Sequence, residues 1–239
     1  GSVWYNWPVS QAALRIKYNI TPELYAQIGA YNQNPSQLEH GNGFKLSGSG
    51  TKGTVLPVEL VWSPKLNSLP GEYRVGYYKS TADANDVRKD VNGQDAANTG
   101  DAYRVHNSKH GYWFVGQQQL TTHNGDASRG LNIAANATFH DKDTNVVDNY
   151  QSLMFVYKGP FDARPKDDVG IGFARIHVND DVRKNAQLIN EDNGISNYDN
   201  PLYMPLRDTE YNYEINYGFH VTNWLTVRPN LQYIRHPGG

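Results

Sequence analysis

About ten segments of roughly nine to eleven residues in this chain follow a period of two between apolar and polar side chains, and the connections between them alternate between short and long. A period of two is the repeat of a strand with one face buried, and nine to eleven residues is the length a tilted strand needs to cross a bilayer. The set runs "QAALRIKYN" from Gln11, "LYAQIGAYN" from Leu24, "GTVLPVELVW" from Gly53 and "GEYRVGYYK" from Gly71. It continues with "GYWFVGQQQLT" from Gly111, "GLNIAANATFH" from Gly130, "YQSLMFVYK" from Tyr150 and "VGIGFARIHV" from Val169, and closes with two strands inside Tyr211 to Gly239. Connections such as "ITPE" and "VTN" fall on one rim, and long Asn-, Asp- and Gly-rich loops follow the second, fourth and eighth strands on the other. Short turns on one rim and long loops on the other are the arrangement of outer-membrane barrels. The connection after the sixth strand, "DKDTNVVDN", is short for its rim.

Which row is buried decides the class. In a soluble sheet the apolar row packs on a core and the polar row meets bulk water, so Lys, Glu, Thr and Ser dominate the latter. Here the polar rows are rich in Asn, Gln and Gly with isolated opposite charges, which suits a confined wet lumen, and aromatic residues near strand ends (Tyr18, Trp62, Tyr73, Trp224, Tyr233) suit interfacial girdles. The expectation is an all-β, transmembrane, antiparallel up-and-down β-barrel of the porin kind, with residues 1–239 as one domain. Tyr213, Ile215, Tyr217 and Phe219 then face lipid. Two strands resist the pattern. In Val169 to Val178 the outward set is either Gly172, Ala174, Ile176 and Val178, or starts at Ile171 and switches by a bulge. Pro57 and Pro229 fall inside strands, where the missing N–H calls for local bulges.

Composition removes other classes. No apolar run approaches the roughly 18 residues of a membrane helix, whereas a mean hydropathy of -0.70 is compatible with a barrel whose lipid-facing residues are every second one. Charge is nearly balanced, with Lys+Arg 22 against Asp+Glu 24, so nucleic acid is not an expected partner. The absence of cysteine removes disulfides and thiolate sites. "GSVWYNWP" has neither the basic nor the apolar region of a leader. "DKDTN" begins like a calcium loop, but Val146 stands at the position of its glycine and Ser152 at that of its glutamate, and the eight histidines have no paired-ligand spacing. No metal site and no cofactor is read. Glu59, Glu210 and Glu214 have no spacing that would pair them as a glycosidase acid and base, so lumen-lining charge is the expected role.

"YEINYGFHVTNWLTVRPNLQYIRHPGG" resembles the C-terminal signature of the carbohydrate-selective porins of the OprB type; "GTVLPVELVWSP" with "LPGEYRVGYYKS", and "YAQIGAYNQNP", are similar to that family's earlier strands. The resemblance implies a sixteen-stranded barrel in the Gram-negative outer membrane that admits glucose and related sugars by facilitated diffusion. By the same resemblance this chain, with about ten strands, looks like a part lacking the N-terminal portion and the closing C-terminal strand. Mono- or oligosaccharide solutes and outer-membrane lipid are the implied partners, and a soluble secreted lectin-like protein is the alternative. Sugar passage needs amides and charges for hydroxyls and aromatic faces for ring C–H surfaces. Alternation nominates Arg15, Lys17, Glu59, Arg74, Asn132, Asn136, Glu214, Asn216, Arg228, Asn230 and Gln232 as pore-lining, sugar-contacting candidates.

Overall fold

The structure, a computed structural model, describes residues 11–42 and 48–239. The opening "GSVWYNWP", read above as carrying no leader, lies outside them. In chain order the elements are β1 (Ala13–Asn19), β2 (Leu24–Gln33), β3 (Gly53–Trp62), β4 (Lys65–Leu66), β5 (Leu69–Ser80), β6 (Ala84–Asp90), α1 (Ala96–Thr99), β7 (Tyr103–His106), β8 (Lys109–Gln119), β9 (Gly130–His140), β10 (Val147–Lys158), β11 (Asp168–Val178), α2 (Asp180–Asp192), β12 (Thr209–His220), β13 (Thr226–Val227) and β14 (Asn230–Arg235). One antiparallel sheet runs β1-β2-β3-β5-β8-β9-β10-β11-β12, with β13 and β14 both on β12. Since β13 and β14 are two pieces of one strand, ten spanning strands lie side by side in chain order, an up-and-down wall that the described residues do not close into a ring.

Burial is inverted. Among the described residues seven hydrophobic side chains are buried against thirteen polar ones, while Ile16, Val58, Ile171 and Leu231 are 59%, 47%, 55% and 72% exposed. Registers explain this: Trp62, Tyr73, Gly116, Ala135, Leu153, Phe173, Tyr213 and Tyr233 succeed one another across the sheet on one face. Ring contacts such as Trp62–Tyr73 at 5.6 Å and Phe173–Tyr213 at 5.3 Å tile that face. Trp224 stands in the turn between β12 and β13, close to both strand ends, and is 83% exposed.

The open question of β11 has a single answer. Ile171 pairs with Ile215 and Phe173 with Tyr213, so Ile171 belongs to the apolar face, and Gly172, Ala174, Ile176 and Val178 belong to the other. There is no switch within β11; the bulge is on its partner, between Val147 and Asn149 of β10, and it turns the Asp148 carboxylate onto His177 at 2.6 Å. The two prolines also need no bulge. Ile28↔Val58 and Tyr31↔Val55 keep one register across Pro57, and Phe219↔Val227 and Asn216↔Asn230 keep one across Pro229. Each proline sits in a short gap of an otherwise continuous ladder, so losing one N–H leaves the pairing on both sides intact.

The long loops are folded. The connection from β5 to β8 contains β6, β7 and α1, and that from β11 to β12 contains α2, which is in contact with both α1 and β6. Arg88 crosses between them, donating to Asp95 at 2.7 Å and to Asp181 at 2.8 Å, and Asn185 donates to the Tyr103 hydroxyl at 2.8 Å. The short β9–β10 loop is the floor of this body. Val87 N–H donates to the Asp143 carbonyl, and the Asn179 side chain donates to the carbonyls of Lys142 and Asn145. Thr144, Asn145 and Asn179 are buried there, so "DKDTN" is a packed support and not the solvated loop its composition suggests.

Candidate functional site

Every one of the eleven nominated residues falls on the face opposite the apolar one. Arg15 and Lys17 of β1 lie opposite Gly29 and Gln27 of β2, and Gln27 lies opposite Glu59 of β3. Two residues away on β5, Arg74 continues through Val115 to Asn136. Asn132, Asn216, Asn230, Glu214 and Gln232 share the same parity further along. Sharing a face does not make them one site, and the structure divides them into two clusters with isolated members outside both.

The first cluster is built on Glu59, only 8% exposed. Its Oε1 accepts from Gln27 Nε2 at 2.7 Å and from an Arg74 guanidinium nitrogen at 3.4 Å, and its Oε2 accepts from the Trp113 indole N–H at 2.8 Å. Arg74 also donates to Glu72 at 2.6 and 2.9 Å. Four adjacent strands thus meet at one carboxylate. The second cluster joins β11, β12 and β14. Glu214 accepts from Asn216 at 2.9 Å and Gln232 at 2.5 Å, and Arg228 donates to Asn216 at 2.9 Å and to both carboxylate oxygens of Asp168. Asn136 accepts from Thr138 at 3.0 Å, Asn132 donates to the Gly130 carbonyl at 3.1 Å, and Lys17 lies 3.7 Å over the Tyr25 ring, so these remain outside both clusters. Glu59 and Glu214 are six strands apart, roughly 29 Å along the wall, which does not pair them for acid–base work.

Four members were not legible in the sequence. Trp113 stands between Tyr112 and Phe114, so its strand is aromatic on both faces and alternation does not single it out. Gln27 is the one amide among apolar neighbours and Glu72 is two positions from Arg74, both usable signals, whereas Asp168 opens a strand on which no residue was nominated. The face is also less polar than the alternation implies. Tyr31, Pro57, Tyr78, Trp113, Tyr150 and Ile176 line a chamber of about 1070 Å³ on it, which also takes in Gln117, opposite Glu72, and His140 near the long-loop rim.

Charge at the two rims is fixed outside the spanning strands. In the long-loop body, hydrogen bonds from Arg88 and then Lys89 hold the Asp95 carboxyl down at about 2. Burial pushes Asp86 and Asp90 upward, but the N–H groups of Lys89 and Arg88 with His106 at the first, and the Thr99 hydroxyl with the Gln94 and Asn92 N–H groups at the second, outweigh it and keep both below the usual carboxylate range. At the short-turn rim Asp167, held far down by Arg164, accepts from the Tyr217 hydroxyl at 2.6 Å and the His220 N–H at 2.9 Å, tying the β10–β11 turn to β12.

With this geometry in hand, likeness to known proteins is specific. The family model of the carbohydrate-selective porins, OprB family, matches residues 1–239. Porin B of Pseudomonas aeruginosa is 69% identical over the whole chain and 53% of its own length, and the putative porin QuiX of Acinetobacter baylyi is 43% identical over 54% of its length. A high-pH structure of Pseudomonas putida OprB superposes with a TM-score of 0.95 over 99% of this chain and 56% of that one, at 69% identity. The chain therefore spans about half the length of the relatives it matches. Its sheet is a stretch of porin wall of the Gram-negative outer membrane. The chain belongs to the OprB family of carbohydrate-selective porins.

Proposed function

We propose that the protein is an outer-membrane channel for passive, sugar-selective diffusion, and that the polar face, with Arg15, Lys17, Glu59, Arg74, Asn132, Asn136, Glu214, Asn216, Arg228, Asn230 and Gln232, lines its lumen. The observation that carries this is the Gln27–Glu59–Arg74–Glu72 ladder, a row of fixed donors and acceptors on the face opposite the lipid-facing rings. In such a row the amide and guanidinium N–H groups and the outer carboxylate replace part of a sugar's hydration shell, one guanidinium being set between two carboxylates. Glucose and related sugars are the solutes and outer-membrane lipid is the surrounding medium. A soluble lectin has no support from family membership, and an exposed apolar face ten strands wide opposes it.

The test is reconstitution of the full-length protein in liposomes, comparing glucose entry with that of a zwitterion of similar size. Faster glucose entry is expected, and equal rates would reduce the channel to a general porin. Arg74→Ala is expected to alter glucose flux severalfold, since it leaves Glu72 without its guanidinium partner and removes one of the three donors to Glu59. Barrel stability should hold, because Gln27 and Trp113 still occupy that carboxylate. Failure of Arg74→Ala to assemble would make Arg74 structural.

A further inference from the structure

Trp113 is held more tightly than an aromatic residue on a channel wall requires. Its backbone on β8 lies opposite Gly76 of β5, and its indole N–H reaches over β5 to the Glu59 carboxylate on β3, 2.8 Å away. A Cβ added to Gly76 would lie 2.0 Å from Cζ2 and 2.2 Å from Cε2 of the indole. The ring therefore lies flat across β5, one face against the Gly76 backbone and the other turned to the chamber. Glu59 cannot serve both the ring and a solute, since Gln27, Arg74 and Trp113 occupy its two oxygens and it is 8% exposed.

We infer that Trp113 is a stacking platform for the apolar C–H face of a pyranose ring, with Glu59 and Gly76 as its positioning residues. This rests on the sugar-channel reading above and names the part of the solute that is recognised. A pyranose over an indole puts its axial C–H bonds on the ring face and its hydroxyls outward, where Thr138, opposite Trp113 on β9, and Asn136 present a hydroxyl and an amide. The neighbouring Tyr78, Tyr150 and Ile176 thin the water around the platform, which favours the apolar contact. An open-chain polyol offers as many hydroxyls as a hexose but no rigid apolar face, so the platform discriminates ring from chain.

The experiment uses the full-length protein in liposomes with glucose, sorbitol and glycerol. Wild type should admit glucose faster than sorbitol. Gly76→Ala, which displaces the indole without changing it, and Trp113→Leu should each lower the glucose-to-sorbitol ratio by about three- to tenfold, the range of one aromatic contact, with glycerol entry unchanged. Trp113→Phe, a ring without the N–H tether, should fall between. If Gly76→Ala does not assemble, Trp113→Leu decides, since it adds no clash. An unchanged ratio in Trp113→Leu, or a parallel fall for all three solutes, overturns the platform and leaves the sugar channel standing. A wild type that does not prefer glucose to a zwitterion overturns the sugar-selective reading on which the platform rests.

Discussion

Asn179 is the residue on which the long-loop body turns, and its removal has a size that follows from its contacts. It is 0% exposed; its Oδ1 accepts from the Asp181 N–H at 3.0 Å as the N-cap of α2, and its Nδ2 donates to the carbonyls of Asn145 at 2.9 Å and Lys142 at 2.5 Å. Asn179→Ala loses the cap, worth about 1 kcal/mol. It also strands the carbonyl of buried Asn145, at about 2 kcal/mol, while that of exposed Lys142 can turn to water. The sum, about 3 kcal/mol, is roughly a hundredfold in the opening equilibrium of the body. Amide hydrogen exchange on the full-length protein reads this directly where reclosing outruns exchange. Amides of α2 and of residues 142–145 should exchange about a hundredfold faster, while those of β9, β10 and β11 hold. Asn179→Ser, which keeps a cap but is too short to reach the carbonyls, should be intermediate. Acceleration of α2 by less than about threefold in Asn179→Ala would show that the loops hold together by other means.

Two further outcomes follow from the same physics. Leu60→Arg puts a charge on the exposed apolar row of β3, which the proposed channel turns to lipid, and should destabilise the barrel by about 2–4 kcal/mol near the bilayer midplane, measured by denaturant unfolding in lipid; no loss would contradict a midplane, lipid-facing Leu60. Acid should loosen the long-loop body. Asp86, Asp90 and Asp95 all have folded values below the ordinary carboxylate value, so their contribution is complete above it and is lost as pH falls through the folded values, about 2 for Asp95. Protease cleavage within residues 84–106 should stay flat from neutrality to about pH 5 and rise at about pH 2.5. A rise already complete at about pH 5 would contradict this sign.

The wall was legible because its rule is local. A period of two fixes the face of each residue from its immediate neighbours, so all eleven nominated residues fell on one face without any knowledge of partners. What the alternation did not reveal depends on distant partners. Arg88 and Asp181 are 93 positions apart, and nothing in "NDVRKD" or "NDDVRK" says that they meet. The facing of β11 stayed open between a regular strand and a bulged one, because only pairing shows that the extra residue, Asp148, belongs to β10. Glu59 was legible as a charge on the polar face, but not as an anchor for three donors from three other strands.

That anchor also guards against an error the hydrophobic pattern does not detect. Sliding a strand by one residue turns its apolar row inside out, but sliding it by two returns every side chain to its proper face and passes unnoticed by lipid and water alike. Glu59 notices. A two-residue slip of β2, β5 or β8 carries Gln27, Arg74 or Trp113 away by roughly 7 Å, out of bonding range. A carboxylate in the wall then loses a partner that water at an 8% exposed site replaces poorly. Four strands are thereby checked for stagger at one height, and the shear of this part of the barrel is written in side-chain hydrogen bonds as well as in the backbone.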